Sequence, residues 1–145
     1  MDESRIPDII EIQQLAARYA VGMTRHDIPS VQAVFTLDGT YSAFGEIYTI
    51  DDFPILAEAA PRGMYNCGTP AITFESDTEA SGMVTLCFIQ QDNHDMRLGW
   101  YTDTYRRTDE GWRLATRKMT FLRRNGSQDS GRAHDPLRPP GSLTH

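Results

Sequence analysis

Two side chains far apart in the chain, Tyr19 and Asp103, have the types and settings that point to chemistry. Tyr19 sits on the inner stripe of an N-terminal amphipathic segment. Asp103 is the one acid inside a long aromatic run, Leu98-Gly-Trp-Tyr-Thr-Asp-Thr-Tyr105. Acids pack poorly on a pleated, half-buried surface and are depleted in strands, so one in mid-strand faces water, a polar cavity or a cost in stability. If it shares a cavity with a phenol, the two can donate to an oxygen on which negative charge develops. Enclosure there would suit Asp103 to trade a proton near neutrality. The alternative is a structural ion pair with a strand arginine such as Arg117. Tyr19 has an alternative too, as a core tyrosine whose hydroxyl finds a backbone carbonyl.

The other reactive types are sparse. His26 lies beside Asp27 at the end of the first helical segment, where a cation is favourable. His94 falls in an Asn-His-Asp turn, and His134 and His145 lie near the C-terminus. No histidine pair has ligand spacing with a carboxylate, so no metal site is expected. There is no Gly-rich phosphate loop and no Gly-x-Ser-x-Gly. Cys67 and Cys87 lie in strand-like segments without a CxxC, which reads as two reduced, partly buried thiols. The aromatic set Phe44, Tyr65, Phe88, Trp100, Tyr101 and Tyr105 is either core or cavity wall. Strand alternation sends Trp100 and Tyr101 to opposite faces, and an inward Asp103 brings Tyr101 and Tyr105 with it.

These side chains need elements to hold them. From Asp8 to Arg25, Ile9, Ile12, Leu15, Ala16, Tyr19, Ala20 and Met23 recur at steps of three and four, one apolar helical stripe. Pro7 suits its first turn. A short second helix follows, with Asp27 as N-cap and Val31, Val34 and Phe35 facing in. Asp38-Gly39 turns the chain into a strand over Thr40–Phe44, which carries Tyr41. Asp51 caps a third helix from Asp52 to Ala60, ended by Pro61-Arg-Gly63. Strands then dominate: Met64 to Glu75, broken or bulged at Pro70, then Ala80 to Gln91, Met96 to Arg107 and Trp112 to Arg124. Val84, Leu86 and Phe88 share one face of the second of these, Met83, Cys87 and Ile89 the other. Turns at Ser76-Asp-Thr-Glu79, Asp92–Asp95 and Asp109-Glu-Gly111 separate them. Helices first and an antiparallel meander last is an α+β arrangement. A long sheet with apolar residues on both faces is covered most simply by curving around the helices, with a pocket at the open end.

Composition bounds the rest. A chain of 145 residues makes one domain with a single core, taken here as residues 1–124. From Asn125 the sequence is rich in Gly, Pro, Ser and charge, which predicts a flexible tail over 125–145, disordered or laid across a neighbour or the pocket mouth. The net charge of −6 argues against nucleic acid as a partner. The arginines Arg106, Arg107, Arg113, Arg117, Arg123 and Arg124, interleaved with strand residues, read as a solvated sheet face. No apolar run approaches the roughly 20 residues that cross a bilayer, and the first residues lack a signal-peptide pattern. A cytoplasmic protein without a membrane partner is expected.

In this order the elements resemble the cone-shaped fold shared by nuclear transport factor 2, ketosteroid isomerase and scytalone dehydratase. The likeness is greatest to the SnoaL-like branch, which includes polyketide cyclases, bile-acid dehydratase and lindane dehydrochlorinase. It spans roughly Ile9 to Arg124. It rests on Arg18-Tyr-Ala-Val-Gly-Met-Thr-Arg-His-Asp27, Val34-Phe-Thr-Leu-Asp-Gly39, Asn66-Cys-Gly-Thr-Pro70 and Gly99–Trp112. The resemblance implies a curved antiparallel sheet wrapped around three N-terminal helices with an internal pocket. It places Tyr19 at the family's active-site tyrosine. Asp103 falls where the isomerase keeps its oxyanion-hole aspartate and the cyclases their acid/base. The isomerase's basic aspartate aligns with Ala43. The Asp–His dyad of the dehydratase and dehydrochlorinase aligns with Thr24 and with Asn66, or with Tyr65 if the register slips by one. Neither a hydroxyl nor an amide abstracts a proton near neutrality, so the dyad chemistry is not expected.

The leading expectation is therefore a cofactor-free lyase, isomerase or cyclase acting on a largely apolar, oxygen-bearing small molecule, polyketide- or terpenoid-like. Asp103 and Tyr19 would be catalytic, and Thr24, Asn66, Tyr65, Tyr41, Tyr101 and Phe88 would hold the substrate. The alternative is a non-catalytic ligand-binding or scaffold subunit. An epoxide hydrolase built on Asp95, Arg97 and Asp103 has the parts without the matching order. The resemblance implies a homodimer, or a trimer as in the dehydrochlorinase.

Overall fold

A computed structural model of the chain describes residues 2–132. After a single 3-10 turn at Glu3–Arg5, helix α1 runs Ile6–Arg25, two residues earlier than the stripe alone predicts because Pro7 sits in its first turn. Its buried side is Asp8, Ile12, Leu15, Ala16, Tyr19, Gly22 and Met23, one face at helical spacing. His26 closes it in the left-handed region at φ 56°. Helix α2 is short, Ile28–Gln32, with the Asp27 side chain accepting from the Ser30 N–H. Strand β1 then begins at Phe35 and runs to Ala43, taking Phe35 out of the helix expected for it. Strand β2 (Glu46–Thr49) returns antiparallel to β1, a hairpin that the sequence patterning did not signal. Helix α3 follows at Phe53–Ala59.

Pro70 divides the next stretch into β3 (Gly63–Cys67) and β4 (Ala71–Phe74), both paired antiparallel with β5 (Glu79–Gln90). Strands β6 (Met96–Thr108) and β7 (Gly111–Leu122) are long and lie next to it. The result is a curved, unclosed eight-stranded sheet in the order β2-β1-β7-β6-β5-β3, with β4 on β5 and β8 (Gln128–Asp129) on β7. It is mixed, because β1 runs parallel to β7; the other pairings are antiparallel, as expected. Its inner face packs on α1 and carries the core.

One irregularity decides the site. Thr104 pairs with Thr116 but Tyr105 pairs with Leu114, so Ala115 is an extra residue in β7. A bulge of this kind reverses the alternation beyond it. Trp112 and Leu114 are buried on one side of it and Arg117, Met119 and Phe121 on the other. Arg117 is thereby turned inward, away from the solvated face assigned to it by pattern alone.

At the end of the sheet remote from this bulge's inner neighbours, α1 is tied down by Asp8. Its carboxylate accepts from the Trp112 Nε1–H at 3.1 Å, Arg107 at 2.8 Å and Arg5 at 3.3 Å. Past β7, residues 125–132 fold back rather than leave the domain. Asp129 is held bidentately by Arg123 at 2.6 and 2.8 Å, and the Phe44 N–H donates to the Ser130 carbonyl at 2.6 Å. The rest of the expected tail, 133–145 with His134, His145 and its prolines, lies outside the described residues.

Candidate ligand cavity and its polar floor

Helix α1 contributes Tyr19 and Met23 to a cavity at one end of the cone. Strands add Tyr41, Tyr65, Leu86, Phe88, Arg97, Tyr101, Met119 and Phe121, and α3 adds Phe53 and Leu56. Each strand residue faces in by alternation. The free space between these side chains is about 40 Å³, room for a few water molecules and less than an aromatic ring fills, so a ring-sized ligand enters only as the side chains at its mouth give way. Phe44 and Phe121 form its lip, with ring centroids 5.5 Å apart. Gly131 presses against both: a methyl group there would lie 2.7 Å from one ring and 2.8 Å from the other.

The polar content of the cavity is a group of phenols. Tyr19, Tyr41 and Tyr101 pack edge to face, with Tyr19–Tyr101 centroids 5.5 Å and Tyr41–Tyr101 centroids 6.3 Å apart, and Tyr65 stands 6.5 Å from Tyr19. The hydroxyls of Tyr101 and Tyr41 are close enough to that of Tyr19 to favour its ionised form slightly. Burial pushes Tyr19 up to about 12, against the opposing pull of Arg117 and of the neighbouring Tyr101 and Tyr41 hydroxyls. Burial, reinforced by the neighbouring phenols, holds Tyr41 and Tyr101 well above the usual range. Burial likewise raises Tyr65. All four are neutral hydrogen-bonding groups near pH 7. A hydroxyl has two acceptor sites and one proton, so each of these phenols can donate to a ligand oxygen.

Asp103 is elsewhere. Gly82 and Arg117 flank it across the sheet, and its carboxylate meets Arg117 in a bidentate pair, Nε to Oδ1 at 2.8 Å and Nη2 to Oδ2 at 2.7 Å. The Tyr105 hydroxyl also donates to Oδ2, at 2.9 Å. Both charged side chains are 0 % exposed. Tyr105 reaches Asp103 because residue 82 is glycine: a methyl group there would sit 3.1 Å from its ring. Burial pulls the Arg117 guanidinium down, and Asp103 overrides it, holding Arg117 well above its ordinary value. The guanidinium carbon lies 4.0 Å over the Tyr101 ring and 4.4 Å over Tyr19, so the ion pair is the floor beneath the phenols.

Several expectations change accordingly. Asp103 is buried, but it does not line the cavity, and its oxygens are occupied by Arg117 and Tyr105; the acid–base role does not match this environment. Tyr19, Tyr41, Tyr65, Tyr101 and Phe88 do come together around the cavity. Thr24 and Asn66 do not: both are exposed. The Thr24 hydroxyl instead accepts the Tyr65 backbone N–H at 3.0 Å, pinning β3 to α1. Alternation on β3 turns Tyr65 inward and Asn66 outward. The epoxide-hydrolase parts stay apart, with Asp95 in an exposed turn and Asp103 tied to Arg117. Cys67 and Cys87 are free and half-buried, and burial pushes the Cys67 thiol up. Among the described residues no group of His, Cys, Asp or Glu is placed to hold a metal ion, and no helix is long and apolar enough to cross a membrane. Arg97, expected only as part of an epoxide-hydrolase set, lines the rim of the cavity; its odd-numbered place on β6, in phase with Tyr101, is the signal for it.

The SnoaL-like domain profile matches residues 4–118, and the chain belongs to that family. Among solved structures it is similar to a scytalone dehydratase-like protein from Novosphingobium aromaticivorans, with TM-score 0.75 and 17 % identity over 100 % of this chain and 99 % of that one. It is also similar to a type 2 hexachlorocyclohexane dehydrochlorinase (TM-score 0.74, 16 % identity, 97 % of this chain and 99 % of that one). A third is a protein of unknown function from Mycobacterium tuberculosis (TM-score 0.73, 22 % identity, 83 % of this chain and 75 % of that one). A search of curated proteins finds no match. At these identities the likeness carries the fold, whose members include isomerases, dehydratases and cyclases.

Proposed function

We propose that the protein binds a largely apolar, oxygen-bearing small molecule in the aromatic cavity, with the Tyr19 hydroxyl donating to the ligand's oxygen. The carrying observation is the phenol arrangement: Tyr19, Tyr41, Tyr65 and Tyr101 line one aromatic cavity as buried, neutral hydrogen-bonding groups. The aromatic and aliphatic walls lower the local dielectric and strengthen that bond. Among the described lining residues there is no carboxylate, histidine, lysine or cysteine. A general base near neutrality is therefore lacking, which favours a binding module over an acid–base enzyme.

One observation favours a second reading, a cofactor-free lyase, isomerase or cyclase. A buried phenol grouped with three others can polarise a carbonyl as charge develops on it. In that case Tyr19→Phe lowers rate more than affinity. The binding reading is tested by titrating acetophenone and ethylbenzene into the wild-type protein and Tyr19→Phe, followed by NMR. Wild type should prefer the ketone by up to about tenfold, the worth of one hydrogen bond, and Tyr19→Phe should erase the preference. Equal binding of the two in wild type contradicts the reading.

For the assembly, the outer face of the sheet supports a homodimer. Met64, Ile89 and Met96 form one cross-strand row and Cys87, Leu98 and Leu122 the next. Of these, Met96 is 65 % and Leu98 44 % exposed, an apolar ladder of the kind that marks an interaction surface.

A further inference from the structure

We infer that the ligand carries a carboxylate at the end that stays at the cavity mouth, and that Arg97 reads it. The inference rests on the cavity reading above and names the ligand class more narrowly. Arg97 faces inward at the outer end of β6, directly across from Phe88, with its guanidinium carbon 5.9 Å from that ring's centroid. It borders two spaces at once: the aromatic cavity and an open basin of about 590 Å³ outside the Phe44–Phe121 lip. Among the described residues it takes part in no ion pair, whereas its basin neighbour Arg123 is paired with Asp129.

The basin has the same bias. Its charged lining is Arg97, Arg123 and Arg132 against Asp129 alone, and Asp129 is already taken bidentately by Arg123. In a chain of net charge −6, the mouth of the cavity is thus a local positive field. A guanidinium offers a planar fork that matches a carboxylate. Its charge also reaches inside, where it opposes the upward push of burial on Tyr65. A ligand with an apolar ring at the phenols and a carboxylate a short chain away would satisfy both ends.

The test uses 3-phenylpropanoate and 3-phenylpropanamide, which differ in charge and little in shape, titrated by NMR or calorimetry. In the wild-type protein the acid should bind roughly tenfold more tightly than the amide, the scale of a charge-assisted contact, and added salt should shrink the ratio. Arg97→Gln should bring the ratio close to one, and Arg97→Lys should keep part of it. A wild-type ratio near one, or one that Arg97→Gln leaves intact, overturns the carboxylate inference while binding of the amide keeps the cavity reading alive. Failure of both compounds to bind overturns the two together.

Discussion

Asp103 and Arg117 stand directly opposite one another on β6 and β7 and share two hydrogen bonds at 2.7 and 2.8 Å in a fully buried site. The mid-strand acid is thus matched by a mid-strand base. The pair stacks under Tyr19 and Tyr101 and sets the height and tilt of the phenols above it.

Breaking that pair should be costly. Asp103→Asn leaves the buried Arg117 without its counter-charge, and Arg117→Met leaves Asp103 alone; each should lower stability by about 3–5 kcal/mol. The double substitution Asp103→Asn with Arg117→Met should cost less than the sum, as expected for coupled groups. Denaturant unfolding of the four proteins measures this. Single variants as stable as wild type would contradict the assignment.

Alkaline stability follows from the phenols. An unfolded tyrosine ionises near pH 10, while folded Tyr19 holds its proton to about 12 and Tyr41, Tyr65, Tyr101 and Tyr105 are raised as well. Their contribution is fully present below the unfolded value and is lost as pH rises through the folded ones, by about 1.4 kcal/mol per pH unit for each group that titrates. Tyrosinate absorbance for these residues should appear together with loss of the fold. A reversible, non-cooperative titration of all tyrosines near 10 would be inconsistent with their burial.

At the other end of the molecule Asp8 should govern acid stability. Burial opposes its ionised form, but the hydrogen bonds from Trp112 and the nearby Arg5 and Arg107 prevail and hold it below the ordinary carboxylate value. Its stabilisation is present above the unfolded value and disappears as pH falls through the folded one. Asp8→Asn should cost about 1–3 kcal/mol at pH 7. The gap from wild type should close on acidification, as urea unfolding across pH 2 to 7 would reveal.

The dimer proposal is checked by light scattering. Leu98→Asp places a charge beside Leu122 in the outer apolar ladder and should give a monomer with its fold intact. A wild-type protein that is already monomeric at micromolar concentration would remove the proposal.

Much of this architecture is legible in residue order. The stripe from Ile12 to Met23, the Asp27 cap, the break at Pro70 and the three long strands follow from periodicity and turn chemistry, and Tyr101 and Tyr105 do accompany Asp103 on one face. The strand pattern does not reveal the extra residue at Ala115. Simple alternation from Trp112 and Leu114 sends Arg117 outward, and without the bulge the partner of Asp103 stays one of two alternatives. Thr24 and Asn66 were carried by alignment, yet helix phase exposes the first and strand parity the second. The short β2 and β8 depend on pairing with β1 and β7 rather than on their own residues, so local pattern could not signal them.

The central claim, that the cavity holds an oxygenated ligand without a base to take its proton, is tested most directly by hydrogen–deuterium exchange. Acetophenone is incubated with the wild-type protein in D₂O at neutral pD, and its methyl protons are followed by NMR. The account predicts ligand shifts that report binding, with exchange at the rate of buffer alone. Exchange accelerated by the protein would contradict it and place a base within reach of the ligand.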